Sequence, residues 1–184
     1  MSRLRPVALG HLAAVGMAGV SLAGCGGADA GGGTLREEAR VASVTDGDTL
    51  RLRDGRRVRL VQIDAPEERA ECYGREATRA LEVLAPRGAR IVLERDPALD
   101  DADDGGRLLR YVERGGVNVN LRLVADGAAA PYFFRNARGR YAKELLAAAE
   151  GARRDRRGLW GACPAARLEP AQGSLTGRPR AAGG

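Results

Sequence analysis

Residues 41–63 read VASVTDGDTLRLRDGRRVRLVQI, in which strand-forming segments alternate with turn residues. Within Thr49 to Arg53 apolar and basic residues alternate, as they do in a strand with one buried face. Asp54-Gly55 is typical of a tight hairpin turn. A third strand follows from Arg57 to Ile63, and Val41 to Thr45 is the first. The stretch therefore predicts three consecutive strands.

The rest of the chain predicts two further strands and three helices. In chain order these elements are a helix that begins at Arg75 and stops at Pro86, strands from Arg90 to Glu94 and from Leu108 to Val112, a brief helix capped by Asn118 or Asn120 that ends at Asp126-Gly127, and a last helix from Arg138 to Arg157. Five short strands with inserted helices predict an α+β fold that is mainly β. We expect a five-stranded barrel of the oligonucleotide/oligosaccharide-binding (OB) type with three helices.

The first 24 residues have the pattern of an export signal. Arg3 and Arg5 precede an apolar stretch, Val7 to Leu22, that is short for a membrane span. The sequence Leu22-Ala23-Gly24-Cys25 resembles the lipobox of bacterial lipoproteins, in which the cysteine is acylated after cleavage. We therefore expect a cell-membrane lipoprotein that lies outside the cytoplasm and is lipidated on Cys25. The alternative is an ordinary secretory signal and a secreted protein.

One domain is predicted between two irregular ends. The expected organisation is a signal peptide at 1–24, a flexible tether at 25–39, an OB-fold domain at 40–164 and a disordered tail at 165–184. The tether is rich in glycine, and the tail is rich in glycine, proline, alanine and arginine without periodicity.

The composition leaves the chemistry to carboxylates and arginines. Lysine and arginine number 30 against 24 acids, a net charge of +6, which is compatible with a polyanionic partner but does not require one. The only histidine, His11, lies in the predicted signal, and beyond residue 24 the serines are Ser43 and Ser174. A Ser-His-Asp triad and a histidine metal site are therefore excluded for the mature chain.

Three short segments at predicted strand ends and loops carry the candidate functional residues. They are Asp46-Gly47-Asp48-Thr49, Arg59 to Glu67, and Asp103-Asp104-Gly105-Gly106-Arg107. In a barrel, Asp48 and Asp64 come from neighbouring strands and can offer carboxylate oxygens to one hard cation, for which calcium fits better than zinc. Taken singly, each segment is also typical of a turn or a solvated strand end.

Together the three segments suit metal-assisted hydrolysis of a phosphodiester. That reaction needs a cation on the phosphate, a base near the attacking water, and fixed positive donors for the charge that develops on the oxygens. Arginine suits the last role because its planar guanidinium pairs bidentately with phosphate and stays charged. Aspartates, one glutamate and two arginines are therefore a sufficient set.

Seven short segments occur in a recognisable order along the chain. They are Val44 to Leu50, Arg57 to Leu60, Ile63 to Glu67, Cys72 to Gly74, Glu76-Ala77, Gly106 to Val112 and Gly158 to Trp160. From Val41 to Cys163 this series resembles the staphylococcal-nuclease-like (thermonuclease) family. The resemblance implies a five-stranded barrel with three helices and an endonuclease that hydrolyses DNA, RNA or both.

The resemblance also implies a calcium site. One ion would be held by Asp48, Asp64 and the backbone carbonyl of Ala65, and Asp46 would support it from nearby. Calcium is accordingly the expected cofactor.

The resemblance further implies three catalytic residues and two substrate-binding aromatics. Arg59 and Arg107 would bind the scissile phosphate, and Glu67 would orient or deprotonate the attacking water. Tyr132 and Phe134 lie where the family places aromatics along the nucleotide site, although packing under the last helix is an equal alternative.

The clearest departure from the family pattern is Gly105, where the family usually has a tyrosine that helps to hold the substrate. The preceding loop is also acidic, with Asp96, Asp100, Asp101, Asp103 and Asp104. Both features favour the alternative function, a catalytically weak nucleic-acid-binding OB-fold lipoprotein.

Cys72 and Cys163 are the remaining thiols if Cys25 is acylated. An oxidising destination favours a disulfide between them, which would join the start of the first helix to the end of the domain. We expect a monomer without a protein partner, whose partners are nucleic acid and, through Cys25, the membrane.

Overall fold

A computed structural model of the protein describes residues 35–175. The strands are β1 (Arg36–Val44), β2 (Thr49–Leu52), β3 (Arg57–Leu60), β4 (Ile63–Asp64), β5 (Arg90–Glu94), β6 (Leu108–Arg114), β7 (Val117–Asn118), β8 (Ala130–Pro131), β9 (Arg167–Glu169) and β10 (Gly173–Leu175). The helices are α1 (Gly74–Leu84), α2 (Val119–Ala125), α3 (Ala142–Arg154) and α4 (Leu159–Ala162), and a 3-10 turn spans Phe134–Asn136. The predicted signal peptide, Cys25 and the chain beyond residue 175 lie outside the described residues.

Five of the strands close into a barrel. Antiparallel pairing gives the order β3-β2-β1-β5-β6, and a parallel pairing of residues 58–60 with residues 108–110 joins β3 to β6. Strand β1 takes part in two pairings because it bends. Residues 36–40 pair with β5, and the chain pairs with β2 after a register shift between Val41 and Ser43. The predicted five-stranded barrel with three helices is confirmed, and α4 adds a fourth helix of four residues.

Apolar side chains from the barrel strands form the core. The residues that are at most 2% exposed include Leu50, Leu52, Val58, Leu60, Ile91, Leu93 and Val112. Helices α1, α2 and α3 add Leu81, Leu123 and Leu145 to the same core. Each such side chain contributes about 1.5–3 kcal/mol by leaving water. The core therefore fixes the strand ends from which the functional side chains project.

The domain is longer at both ends than the sequence predicted. Strand β1 begins at Arg36, inside the predicted tether, where Arg36 forms ion pairs with Glu94 and Glu113. Strands β9 and β10 pair with each other inside the predicted tail, and Pro170 between them accepts a 2.7 Å hydrogen bond from the Phe133 N–H. Residues 35–40 are at best half-buried, so the added part of β1 carries little of the apolar alternation that marks a strand.

The third strand is shorter than predicted because the chain turns at Gln62. The backbone of Gln62 is left-handed, with φ of 65°. Its buried side chain donates to the Ala137 carbonyl and accepts from the Gly139 N–H, both at 2.8 Å. The chain then forms β4, which pairs with β8 outside the barrel wall. The turn at Gln62 thus places Asp64 at the edge of the barrel.

The last long helix is also shorter than predicted, spanning Ala142–Arg154 instead of Arg138 to Arg157. Before it, the Arg140 N–H donates to the buried Asp96 carboxylate at 2.7 Å, and after it Arg156 is left-handed with φ of 53°. Between residues 35 and 175 no helix has the length and apolar character needed to cross a membrane.

The predicted disulfide is present. It joins Cys72, before α1, to Cys163, after α4, with Cα atoms 5.9 Å apart and the two cysteines 91 positions apart in sequence. We expect replacement of both cysteines by alanine to lower the free energy of unfolding by about 2–5 kcal/mol, because a long closed loop is released in the unfolded chain. Urea unfolding of both proteins at one calcium concentration measures this. An unchanged midpoint would contradict a stabilising bridge.

Candidate active site

The turn between β1 and β2 lies unusually close to the chain after β4. The Asp46 carboxylate accepts the Asp48 N–H at 3.1 Å, which fixes the turn. A Cβ on Gly47 would lie 2.6 Å from the Ala65 Cβ and 2.9 Å from the Ala77 Cβ, so only glycine permits this approach. As a result, Asp48 Oδ2 accepts the Ala65 N–H at 3.3 Å.

Arg59 lies between the two carboxylates that the sequence predicted as metal ligands. Its Nη2 is 2.8 Å from Asp64 Oδ1 and 3.2 Å from Asp48 Oδ2. Its Nη1 donates to the Ile63 carbonyl at 2.9 Å. The Arg59 side chain is 14% exposed, so water screens these contacts weakly. The structure therefore brings Arg59, Asp48 and Asp64 together around one nitrogen.

Polar contacts connect Arg59 to Arg107 through Asp48 and Thr49. The Thr49 hydroxyl donates to Asp48 Oδ1 at 2.9 Å and accepts a longer hydrogen bond, 3.4 Å, from Arg107 Nη1. Thr49 is 3% exposed. The sequence showed only a β-forming residue next to Asp48, and we did not predict a functional role for it.

Arg107 is held in place by Asp103. Its Nε donates to Asp103 Oδ2 at 2.7 Å and its backbone N–H donates to Oδ1 at 2.9 Å. Burial acts to raise the pKa of Asp103, but the hydrogen bonds and charge of Arg107 outweigh it and lower that pKa below its usual value. The sequence analysis counted Asp103 only as part of an acidic loop. Its spacing of four residues from Arg107 was the available signal.

Glu67 follows β4 and is exposed. It lies beside the cluster of aspartates that includes Asp46 and Asp64. Partial burial raises the pKa of Glu67, the charges of Asp46, Glu71 and Asp64 raise it further, and Arg59 opposes them. Glu67 therefore lies within electrostatic reach of the predicted metal ligands. A carboxylate with a raised pKa in such a place is a candidate for proton transfer with water.

Burial raises the pKa of Asp48 to about 6, although the Arg59 guanidinium opposes this and Asp46 and Asp64 add to it. The folded-state pKa is above the ordinary aspartate value of 3.8, so protonation of Asp48 favours folding. The stabilising contribution is present below about pH 4 and is lost as the pH rises through about 6. At neutral pH the ionised Asp48 therefore destabilises the metal-free fold.

We expect Asp48→Asn to raise the free energy of unfolding at pH 7.5 in a chelator by about 1–3 kcal/mol, because it removes this buried charge. At pH 4 the gain should be small. Calcium should stabilise the wild type much more than the variant. Urea unfolding at both pH values, with calcium and with chelator, measures these differences. A variant that is less stable than the wild type at pH 7.5 in chelator would contradict the pKa assignment.

The donors around Asp48 and Asp64 fit a hard divalent cation. Two carboxylate oxygens from separate segments converge within 3.2 Å of one point, occupied by Arg59 Nη2, and the Ala65 backbone adjoins them. In residues 35–175 no group of three or more acidic, histidine or cysteine side chains is suited to a metal. Calcium and magnesium commonly take carbonyl and water oxygens beside carboxylates as ligands.

A cleft of about 340 Å³ opens beside the two arginines. Arg59, Arg107, Tyr132 and Phe134 all line it. The Arg59 guanidinium carbon is 5.8 Å from the centroid of the Tyr132 ring, and the Tyr132 and Phe134 rings are 6.5 Å apart. Phe134 is 51% exposed, whereas Phe133 is buried in the core. The structure thus places the two predicted substrate-binding aromatics in the same cleft as the arginines.

The acidic loop is less negative toward the cleft than its five aspartates indicated. Three of them bind arginine side chains or backbone N–H groups: Asp96, Asp101 and Asp103. Asp100, Asp103 and Asp104 line the cleft near Gly105, and the Asp103 carboxylate is paired there with Arg107. Asp100 and Asp104 have no ion pair with an arginine within residues 35–175. A bound polyanion would therefore face two carboxylates of this loop at close range.

Comparison with known proteins identifies the family. Residues 57–162 match the family described as "Staphylococcal nuclease homologue". A protein of Escherichia coli O157:H7 named "Uncharacterized endonuclease" is 37% identical over 125 residues, which cover 66% of this chain and 75% of that protein. Protein ParB of Escherichia coli is 36% identical over 133 residues, covering 65% of this chain and 70% of that protein.

Endonuclease YhcR of Bacillus subtilis (strain 168) is 30% identical over 139 residues, or 67% of this chain. The similar region makes up 11% of the length of that relative. The matched range, residues 57–162, spans the positions of Arg59, Glu67 and Arg107, and members of this family are metal-dependent. This chain belongs to the staphylococcal nuclease homologue family, and its barrel is a hydrolytic nuclease domain.

Proposed function

We propose that the protein is a calcium-dependent nuclease that hydrolyses phosphodiester bonds of DNA, RNA or both. The observation that carries this proposal is the convergence of Asp48 and Asp64 on Arg59, in a site whose cleft Arg107 also lines. Family membership and the endonuclease names of two relatives support hydrolysis of nucleic acid. The set of oxygen donors supports calcium as the ion.

Arg59 and Arg107 bind the oxygens of the scissile phosphate in this proposal. The Nε–H of Arg107 donates to the Asp103 carboxylate, and Nη1 donates to the Thr49 hydroxyl. The remaining N–H donors of the two Nη groups are the ones that would bind the phosphate. Guanidinium groups stabilise the negative charge that grows on the phosphate oxygens in the transition state. When bound, calcium adds positive charge beside the same phosphate.

Glu67 acts on the attacking water. The water oxygen bonds to phosphorus, and Glu67 accepts the proton that the water loses. The bond from phosphorus to the leaving oxygen breaks, and that oxygen takes up a proton from solvent. The raised pKa of Glu67 makes its carboxylate a better proton acceptor than an ordinary glutamate.

Tyr132 and Phe134 stack on bases of the bound nucleic acid in this proposal. Stacking of a base on an exposed aromatic ring is worth about 1–3 kcal/mol and tolerates every base. Half of the Phe134 surface is exposed, so its ring is accessible to a base.

A catalytically weak nucleic-acid-binding protein is the second candidate. Gly105 offers no side chain to a substrate, and Asp100 and Asp104 line the cleft and repel phosphates. Turnover separates the two candidates, because both predict binding of nucleic acid.

The test is cleavage of single-stranded DNA, double-stranded DNA and RNA by purified protein with calcium, magnesium, zinc or a chelator. We expect cleavage with calcium and none with the chelator. Binding of labelled oligonucleotide without cleavage under any condition would support the weak binding protein instead.

We also propose that the protein is a monomer that acts outside the cytoplasm, anchored through a lipid on Cys25. The Cys72–Cys163 disulfide supports an oxidising destination. In cells of a bacterium that processes lipoproteins, Cys25→Ser should move the protein from the membrane fraction to the soluble extracytoplasmic fraction. Equal membrane association of both proteins would contradict the lipid anchor.

A further inference from the structure

We propose that Glu71 is a positioning residue for Glu67, a role that rests on the proposed function. Its carboxylate accepts the Glu67 backbone N–H through Oε2 at 2.7 Å. The Glu67 carbonyl accepts the N–H of Ala70 at 3.2 Å and of Glu71 at 3.0 Å. The backbone N–H and carbonyl of Glu67 are thus both held by Ala70 and Glu71, and Glu71 contributes to both.

Gly74, at the end of this turn, packs directly against the backbone of Glu67. A Cβ on Gly74 would lie 2.2 Å from the Glu67 carbonyl oxygen and 2.6 Å from the Glu68 Cα. Tyr73, just before it, has a left-handed backbone with φ of 73°. The chain therefore folds back over the Glu67 peptide group before α1 begins.

The closed turn is tied to the rest of the domain by the disulfide. Cys72, one residue after Glu71, is bonded to Cys163, which is 3% exposed. Helix α4, which precedes Cys163, is held to the chain just after α2 because the Leu159 N–H donates to the Gly127 carbonyl at 2.9 Å. The disulfide therefore fixes the end of the turn at Cys72. The hydrogen bond from the Glu67 N–H to the Glu71 carboxylate then orients Glu67 relative to that end.

This placement predicts an effect on the chemical step and not on substrate binding. Neither Glu67 nor Glu71 lines the cleft that holds the two arginines and the aromatic rings. A reacting group that is misplaced by about 1 Å can cost about 100-fold in rate. Loss of a single hydrogen bond on a turn that keeps its other contacts should cost less.

The experiment compares Glu71→Ala with Glu71→Gln, which keeps an acceptor oxygen but removes the charge. Glu68→Ala is the matched control, because it removes one carboxylate from the same turn and leaves the bond from Glu71 to Glu67 intact. We expect Glu71→Ala to lower kcat about tenfold with KM unchanged, and Glu68→Ala to keep kcat within about twofold. Glu71→Gln should lose clearly less than Glu71→Ala, because it keeps the acceptor oxygen and loses only the charge near Glu67. Urea midpoints confirm that each variant is folded.

A double-mutant cycle gives the decisive result. If Glu71 acts through Glu67, Glu71→Ala should have no further effect on kcat in a Glu67→Gln background. Additive effects, an equal loss in Glu71→Gln, or a change in KM alone would overturn the proposal while the wild type still cleaves. A folded wild type that cleaves nothing would overturn the proposed function and this role together.

Discussion

Replacement of Arg107 by alanine is expected to lower kcat for phosphodiester cleavage by about 10³–10⁵, the range for an arginine that stabilises charge in phosphoryl transfer. Arg107 lines the cleft and is held by two hydrogen bonds to Asp103, so it is pre-positioned before substrate arrives. Its loss leaves the developing negative charge without one of its two guanidinium partners. Single-turnover cleavage of a labelled oligonucleotide with saturating calcium measures the effect.

Arg107→Lys is the matched variant for this prediction. Lysine keeps the positive charge but cannot pair with phosphate through two parallel hydrogen bonds, nor reproduce the contact from Nε to Asp103. We expect it to recover only a small part of the lost rate. Full activity in the lysine variant would show that charge alone suffices and would contradict the bidentate role.

The second large effect is expected for Glu67→Gln, which should lower kcat by about 10²–10⁴ through loss of the proton acceptor. Glutamine has nearly the same shape, so the turn to Glu71 and the barrel should persist. Glu68→Gln removes a neighbouring carboxylate and should leave kcat unchanged. Calorimetric titration with calcium should give similar affinities for the wild type and for Glu67→Gln. A Glu67→Gln enzyme with wild-type kcat would remove Glu67 from the chemical step.

The barrel was predictable from sequence wherever strands bury one face. Strand β5 spans Arg90–Glu94, as predicted, and the Asp54-Gly55 turn joins β2 to β3. Alternation of apolar residues is a direct consequence of strand geometry, so it is visible without the structure. The start of β1 at Arg36 was missed because its exposed residues leave no such alternation. Gln62 was missed because nothing in its neighbours marks a left-handed residue.

The candidate site was predictable as residue types but not as contacts. Arg107 and Thr49 are 58 residues apart in sequence, and they meet because the parallel pairing of β3 with β6 closes the barrel. The role of Thr49 follows from that closure, whereas the contact of Asp103 with Arg107 is local and joins residues four positions apart. The burial of Asp48 also depends on Gly47, which lets the turn approach Ala65. Contacts between residues so far apart in sequence form only in the folded chain, so local sequence patterns do not reveal them.

Folding of the metal-free domain favours a protonated Asp48, whereas metal binding requires an ionised one. Its burial raises its pKa to about 6, which makes the ionised form unfavourable near neutral pH. A divalent cation requires that same ionised form. Calcium binding should therefore stabilise the fold and complete the site in one event.

The most direct test of the central claim is cleavage of one labelled oligonucleotide as a function of calcium concentration, by the wild type and by Asp64→Asn. Asp64 contributes one of the two carboxylates that converge on Arg59. We predict calcium-dependent cleavage by the wild type, no cleavage in chelator, and a variant that requires far more calcium and remains slower at saturation. Equal cleavage by both proteins, or cleavage that persists in chelator, would contradict the claim that Asp48, Asp64 and Arg59 form the centre of a metal-dependent nuclease.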